Sequence, residues 1–244
     1  MSVTIGSARI NENGKITGGR AGDQTGNECS IQSWYLSSKG WVVVRPINPM
    51  VAERIAKNMG AICNNQNIGY CQDHRNGLYN ASKQYGFDAS KVNSPVEVDC
   101  SEAVRCCLAY AGISVNTFTT ASEVSVLNAT REFDILTSDC YCKKDKYLKR
   151  GDILVTRSKG HTAVVLGNGS NYTSMIYPQL QKGDKGVTVG VLQKALKRKE
   201  LYHGAIDNDY GSLTQQAVIR LQGLAGLTKD GICGNKSWAV IMAD

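Results

Sequence analysis

The sequence changes character near residue 178, and this change favours a chain of two domains. Residues before Tyr177-Pro178-Gln179 form short apolar runs with many turn residues, whereas the later residues show two helical periods separated by Gly- and Asp-rich turns. A chain of 244 residues can divide its apolar side chains between two cores. We therefore expect domains at 1–178 and 179–244, with a short junction at about 176–181.

The composition excludes several classes of protein. A hydrophobic content of 42% argues against a disordered chain, and no run reaches the roughly 18 apolar residues that span a bilayer. The first residues have neither the basic head nor the apolar stretch of a signal peptide, so we expect a cytoplasmic protein until it is released. The net charge of +7 divides into about +4 before residue 179 and +3 after it, so we expect no nucleic-acid partner.

Cysteine is abundant, with nine residues against three histidines. Since nine is odd and the chain is expected in a reducing compartment, we predict free thiols and no disulfide scaffold. Zinc is disfavoured because Cys-x-x-Cys pairs and a nearby histidine pair are missing around the separated cysteines, which are Cys29, Cys63, Cys71, Cys140 and Cys142. The sequence therefore predicts no metal and no cofactor, and most thiols are expected to be buried.

Periodicity in the first domain predicts three helices followed by three antiparallel strands. The helices are expected at residues 49–62, 71–85 and 99–111. The strands are expected at 151–156, 161–167 and 171–176. This order indicates an α+β domain.

Cys100 lies where an extended stretch turns into the third predicted helix. The unpaired amide N–H groups and the dipole of a helix start favour a thiolate, the nucleophilic form of cysteine. Glu102 follows Asp99 by three residues, which is an acidic variant of the capping pattern and supports a helix start here. The alternative is one more buried thiol, as expected for Cys106 and Cys107.

His161 opens the second predicted strand, where an imidazole can project from a rigid sheet toward a helix start. An isolated histidine at a strand end is more often a hydrogen-bonded surface residue, and His203 and His74 fit that interpretation. A cysteine followed by a histidine on a later strand is the order of a papain-like Cys/His pair.

These motifs, in this order, resemble the NlpC-type and related phage-lysin cysteine peptidases, which cut bacterial cell wall. The resemblance rests on Asp99-Cys100-Ser101 and on the segments at 151–154 and 160–167. Further segments similar to phage-type members lie at 21–26, 41–46 and 68–70. The resemblance implies an α+β papain-like domain with an antiparallel sheet.

The resemblance also implies roles for single residues. Cys100 would attack an amide carbonyl, and His161 would act as general base and then protonate the leaving amine. The family places a third polar residue about a dozen positions after the histidine. Thr173 stands there instead of the usual His, and Asn171, on the same face, is the better acceptor and is our choice.

Three residues match the substrate subsites of the family, namely Tyr70, Asp99 and Ser101. The spacing from Tyr70 to Cys100 is longer than in the bacterial housekeeping members. A core aromatic is therefore an equal alternative for Tyr70.

Residues 180–243 look like the small all-α, three-helix peptidoglycan-binding domain appended to many cell-wall hydrolases, although Asn235 stands where the family often has Pro. Core packing is the favoured role of Tyr210 and Trp238, with stacking on a ligand as the alternative. The candidate wall-contacting residues are Asp207, Tyr210, Asp230 and Trp238.

The leading hypothesis is an endolysin-like peptidoglycan hydrolase that cleaves an amide in the stem peptide and is held on the wall by its second domain. An N-acetylmuramoyl-L-alanine amidase would use the same nucleophile. The alternative from another class is a non-catalytic cell-wall-binding protein. Bacterial peptidoglycan is the expected partner in each case.

Overall fold

The chain divides into two compact units, Met1–Tyr172 and Thr173–Asp244. The structure is a computed structural model and describes residues 3–170 and 179–242. The predicted junction at 176–181 falls partly outside these ranges. We describe the two units separately.

The N-terminal unit contains a six-stranded sheet in the order β2-β1-β8-β7-β3-β6. Each pair of neighbouring strands is antiparallel. The strands of this sheet are β1 (Thr4–Ala8), β2 (Cys29–Ser33), β3 (Trp41–Pro46), β6 (Phe133–Leu136), β7 (Ile153–Thr156) and β8 (Thr162–Val165).

The central strands of this sheet are buried on both faces. Val44 and Val164 pack into one core with the helices, while their neighbours Val43 and Val165 pack into a second core on the opposite face. Successive side chains of a strand point to opposite faces, so β3, β7 and β8 are continuous apolar runs rather than alternating ones.

Two helices cover the first face of the sheet. The longer, α1 (Pro49–Asn64), begins where the side chain of Asn48 accepts the N–H of Met50, and Pro49 occupies its first turn. It packs against α3 (Cys100–Tyr110). The other helices of the unit are α2 (Gly77–Ser82), α4 (Glu123–Ala129) and α5 (Asp139–Cys142). The first and third predicted helices are therefore confirmed.

A separate parallel pair, β4 (Ile68–Tyr70) and β5 (Val96–Val98), leads into the candidate site. The buried carboxylate of Glu28 joins the loop between β1 and β2 to this pair. It accepts the N–H of Gln24 at 2.9 Å and that of Tyr70 at 2.9 Å. A Cβ on Gly69 would lie 2.2 Å from the carbonyl oxygen of Gly22, so only glycine permits this close approach.

One expectation changes, and one lies partly outside the described residues. The predicted helix at 71–85 is wrong in its first part, because Cys71 donates its N–H to Val98 and Gln72 donates to Ile16 in an irregular segment, and α2 begins only at Gly77. Strands β7 and β8 confirm two members of the predicted meander, while the third, at 171–176, lies outside the described residues. Strand β8 pairs with β7 along one edge and with β1 along the other.

The C-terminal unit contains α6 (Val187–Arg198), α7 (Ser212–Leu224) and α8 (Asn235–Met242), as the periodicity predicts. Its core includes a central apolar residue from each helix: Leu192, Leu221 and Trp238.

Two buried glutamines hold the loops of this unit in the same way. Gln193 donates to the carboxylate of Asp207 at 2.7 Å and accepts the N–H of Asn208 at 3.1 Å. Gln222 donates to the carboxylate of Asp230 at 2.7 Å and accepts the N–H of Gly231 at 2.9 Å. We call these two arrangements the glutamine ties.

All nine cysteines lie within the described residues, and each is a free thiol. Eight are buried, and Cys140 is half-buried. Among the helices of the described residues, none has both the length and the apolar character needed to cross a membrane.

Candidate active site

Cys100 is the first residue of α3, as the sequence predicts. The carboxylate of Asp99 caps the helix by accepting the N–H of Glu102 at 2.8 Å. The Cys100 side chain is nearly buried, and its sulfur accepts the backbone N–H groups of Thr162 and Ser101. The thiol therefore lies between the helix start and strand β8.

His161 immediately precedes β8, so its backbone lies next to Thr162, whose N–H contacts the Cys100 sulfur. The His161 backbone pairs with Thr156, whose N–H donates to the His161 carbonyl at 3.0 Å. Its ring lies 6.5 Å from that of Trp41, between centroids. The imidazole is thus held at the end of a rigid sheet.

The surroundings keep both groups uncharged at neutral pH. Burial first, and then the charges of Asp99 and Glu123, raise the pKa of the Cys100 thiol to about 12, although the N–H groups of Thr162 and Ser101 oppose this shift. Burial lowers the pKa of His161 to about 4, and the positive charges of Arg9 and Lys39 act in the same direction. In the free protein, burial therefore opposes the thiolate that the helix start favours, because desolvation outweighs the N–H groups of Thr162 and Ser101.

Glu123, the first residue of α4, is a third ionisable group of this region and has no signal in the local sequence. It is fully buried, and its Oε1 accepts the hydroxyl of Thr162 at 2.8 Å. Burial raises the pKa of its carboxyl to about 8, so the group is largely neutral at pH 7. We refer to Cys100, His161 and Glu123 as the nucleophile group.

Asp99 and Ser101, both predicted to contact substrate, are engaged inside the protein. Arg75 forms an ion pair with Asp99, its Nε lying 2.8 Å from Oδ2, and donates through Nη2 to the Ser101 hydroxyl at 2.7 Å. Arg75 also donates to the carbonyl of Phe118. These contacts fix the start of α3, and a substrate role for either residue stays a prediction. Sequence reasoning missed Arg75 because its partners are 24 or more positions away.

Tyr70 lies close to the nucleophile, at the end of β4. Its ring is 3% exposed, and its hydroxyl accepts a hydrogen bond from Gln72 at 3.1 Å. Burial raises the pKa of Tyr70 to about 12, with Cys100 and Asp99 among the charges that add to the shift. The candidate third residues, Asn171 and Thr173, lie outside the described residues.

A family model described as an endolysin-like domain matches residues 5–172, which include both Cys100 and His161. The chain belongs to the endolysin-like domain family. The matched region covers the six-stranded sheet, the parallel pair and α1–α5 of this endolysin-like unit.

The model of a putative peptidoglycan binding domain matches residues 185–241, which contain the three helices of the C-terminal unit. Together with the endolysin-like domain, this match makes the chain a cell-wall-acting protein with peptidoglycan as partner.

In the C-terminal unit, the structure separates the four predicted wall contacts into two kinds. Tyr210 is 0% and Trp238 1% exposed, so both rings have the core position that the sequence favours, and neither presents a face for a saccharide. Asp207 and Asp230 are exposed, although each carboxylate is held by a glutamine tie. Asp230 also lines a cleft of about 440 Å³, together with Thr228. The two aspartates stay candidate wall contacts.

Three solved structures are similar to parts of the chain. The N-terminal domain of SleB is 31% identical over 28% of this chain and 93% of its own length, with a TM-score of 0.27. The Burkholderia AP3 phage endolysin is 40% identical over 27% of this chain and 25% of its own, with a TM-score of 0.26.

The third structure is a peptidoglycan-binding protein from Clostridioides difficile in complex with glutamine hydroxamate. It is 17% identical over 69% of this chain and 87% of its own, with a TM-score of 0.26. A comparison with curated proteins finds no match.

Proposed function

We propose that the chain is a peptidoglycan hydrolase whose papain-like N-terminal unit cleaves an amide bond of the stem peptide through Cys100 and His161. The observation that carries this proposal is the contact of the Cys100 sulfur, at the start of α3, with the backbone N–H of Thr162, the residue next to His161. The family match to an endolysin-like domain supports action on the cell wall.

The chemistry starts from a neutral thiol and a neutral imidazole. With a pKa of about 4, His161 is unprotonated at pH 7 and can accept the thiol proton as the Cys100 sulfur attacks the carbonyl carbon. The new S–C bond gives a tetrahedral intermediate. The imidazolium then returns the proton to the departing amine as the C–N bond breaks, leaving a thioester that water hydrolyses.

The helix start supports the oxyanion in this scheme. The first N–H groups of a helix have no partner within the helix, so the backbone N–H of Cys100 is available for the developing negative charge. The charge of Asp99 is paired with Arg75, which limits its repulsion of that oxyanion.

The C-terminal unit would hold the hydrolase on its substrate. A tether of this kind raises the local concentration of the cleavable bond without new contacts at the nucleophile. The match of residues 185–241 to a putative peptidoglycan binding domain supports this arrangement.

The test is the variant Cys100→Ala, assayed for loss of turbidity of purified cell walls and for co-sedimentation with them. Lysis should fall by at least about 10³-fold, as for other nucleophile deletions, while wall binding is kept. Cys140→Ala, at a half-buried thiol of α5, is the matched control and should lyse walls normally.

Persistent lysis by Cys100→Ala would overturn the proposed nucleophile. Wall binding without lysis by the unaltered chain would instead favour a non-catalytic binding protein. Mass spectrometry of the digest identifies the bond: a new amino terminus within the stem peptide is expected, whereas intact stem peptides released from glycan would indicate an amidase.

A further inference from the structure

A second group of reactive side chains lies in the N-terminal unit, apart from the nucleophile group. The potential ligand atoms of Cys71, His74 and Glu97 lie within 4.8 Å of one another. We call these three residues the Cys71 group. The three provide a thiol, an imidazole and a carboxylate, each of which can coordinate a metal ion.

The backbone holds this group in place before any ligand binds. Cys71 directly follows β4 and donates its N–H to the carbonyl of Val98 at 3.2 Å. Glu97 is the central residue of β5, paired with Gly69. His74 lies in the turn that follows, and its carbonyl accepts the N–H of Gly77 at 3.0 Å. The three side chains therefore come from a strand end, a turn and a neighbouring strand.

The carboxylate of Glu97 is the observation that points to a ligand. Its side chain is 7% exposed, and Oε2 lies 2.7 Å from Nδ1 of His74. The other oxygen, Oε1, is buried without a hydrogen-bond partner among the described residues. A buried carboxylate oxygen without a partner carries a desolvation cost that a bound cation would remove.

The chemistry of the three donors selects the class of ion. Thiolate, imidazole and carboxylate together suit a borderline divalent cation such as Zn²⁺ rather than Mg²⁺ or Ca²⁺, which prefer oxygen ligands alone. The Cys-x-x-His spacing of Cys71 and His74 lies within the range of zinc ligands in one turn.

We propose that Cys71, His74 and Glu97 form a binding site for Zn²⁺, with solvent in the fourth position. The His74 side chain is 69% exposed, so the ion can enter from solvent while Cys71 coordinates it from the interior. Binding displaces the thiol proton of Cys71 to solvent, because only the thiolate is a ligand. The site rests on geometry alone and does not depend on the proposed hydrolysis.

The experiment titrates the reduced full chain with CoCl₂ and ZnCl₂. Zinc can also bind a Cys/His pair such as Cys100 and His161, so the titration is performed in a Cys100→Ala background. We expect about one equivalent of Co²⁺, a thiolate-to-cobalt charge-transfer band, loss of that band on addition of ZnCl₂, and a higher Tm with Zn²⁺.

His74→Gln in the same background should weaken Co²⁺ binding by at least about tenfold, as expected when a metal site loses an interaction partner. Because the His74 side chain is mostly exposed, this variant should fold as the parent does, and the urea midpoint of the metal-free variant checks that. His203→Gln, at an exposed histidine of the C-terminal unit, is the matched control and should bind Co²⁺ unchanged.

Failure to obtain a thiolate band in the Cys100→Ala background would overturn the proposal. Equal Co²⁺ affinity of the His74→Gln variant would do the same, since it would place the ion elsewhere. Loss of lysis in Cys100→Ala has no bearing on either outcome.

Discussion

The nucleophile group and the Cys71 group contain the same three residue types in one unit, but their histidines have different surroundings. His161 is half-buried near Trp41, and desolvation lowers its pKa to about 4. His74 is mostly exposed, and its Nδ1 lies 2.7 Å from the carboxylate of Glu97. The first imidazole is neutral at pH 7 and would accept a proton in the proposed reaction, whereas the second is oriented by an acid as metal ligands commonly are.

The glutamates of the two groups, Glu123 and Glu97, also differ in their hydrogen-bond partners. Glu123 bonds the hydroxyl of Thr162, and its largely neutral carboxyl adds little negative charge beside the Cys100 sulfur at pH 7. Glu97 bonds a histidine directly and leaves one oxygen without a partner among the described residues. The two proposed roles therefore rest on burial and hydrogen-bond partners, which differ between the groups, and not on residue types, which are the same.

The strongest test of this difference is His161→Gln. If the half-buried imidazole of His161 is the proton acceptor, lysis of purified walls should fall by at least about 10³-fold. The matched control is His203→Gln, which removes an exposed imidazole and should leave lysis unchanged. Lysis by His161→Gln at the rate of the control would contradict the assignment of the two roles.

Arg75 links the two groups, since it follows His74 in the chain and pairs with Asp99 at the start of α3. Arg75→Ala removes one partner of a largely buried ion pair, so the free energy of unfolding should fall by about 3 kcal/mol, measured by urea denaturation. Lys143→Ala, which breaks the exposed pair with Asp139, should leave the urea midpoint nearly unchanged. Equal midpoints for the two variants would show that Arg75 does not support the site.

Glu123→Gln should have the smallest effect, visible as a change in pH dependence. The pKa of Glu123 is about 8 in the folded chain against an ordinary value of 4.5. Between these two pH values the folded chain therefore keeps a proton that the unfolded chain has lost. This contribution to stability is complete below about pH 4.5 and is lost as the pH rises through about 8. As the pH rises, the Tm of the variant should therefore fall by a few degrees less than the Tm of the unaltered chain.

Scans of Tm from pH 5 to about 9, in matched buffers, would measure this difference. His161 acts in the opposite direction, because its lowered pKa makes stability fall as the pH drops from 6.5 toward about 4. Parallel pH profiles for the unaltered chain and Glu123→Gln would show that Glu123 is ionised in the folded protein.

Much of the local structure could be predicted from the sequence. The capping residue Asp99 and the periodic apolar residues locate α3, and the Gly-bounded apolar runs locate β7 and β8. These signals are local, and the structure agrees with them. The three helices of the C-terminal unit follow from their own periods in the same way.

The missed features depend on contacts between distant residues. Strand β1 carries no local signal that it pairs with β8, and Glu123 acquires its role only through Thr162, 39 positions later. The raised pKa of the Cys100 thiol is missed for a similar reason, since the helix start is visible in the sequence but the burial of Cys100 is not. A search for paired cysteines also overlooks the Cys-x-x-His pair of Cys71 and His74.

The glutamine ties have a consequence for how the C-terminal unit tolerates insertions. The tie from Gln193 reaches Asp207, 14 positions on, whereas that from Gln222 reaches Asp230 after only 8. The same pair of hydrogen bonds thus joins the ends of two segments that differ in length. We infer that the bonded ends, and not the number of residues between them, hold each segment against its helix. Peptides grafted between Gln222 and Asp230 should therefore be displayed outward while the helices keep their packing.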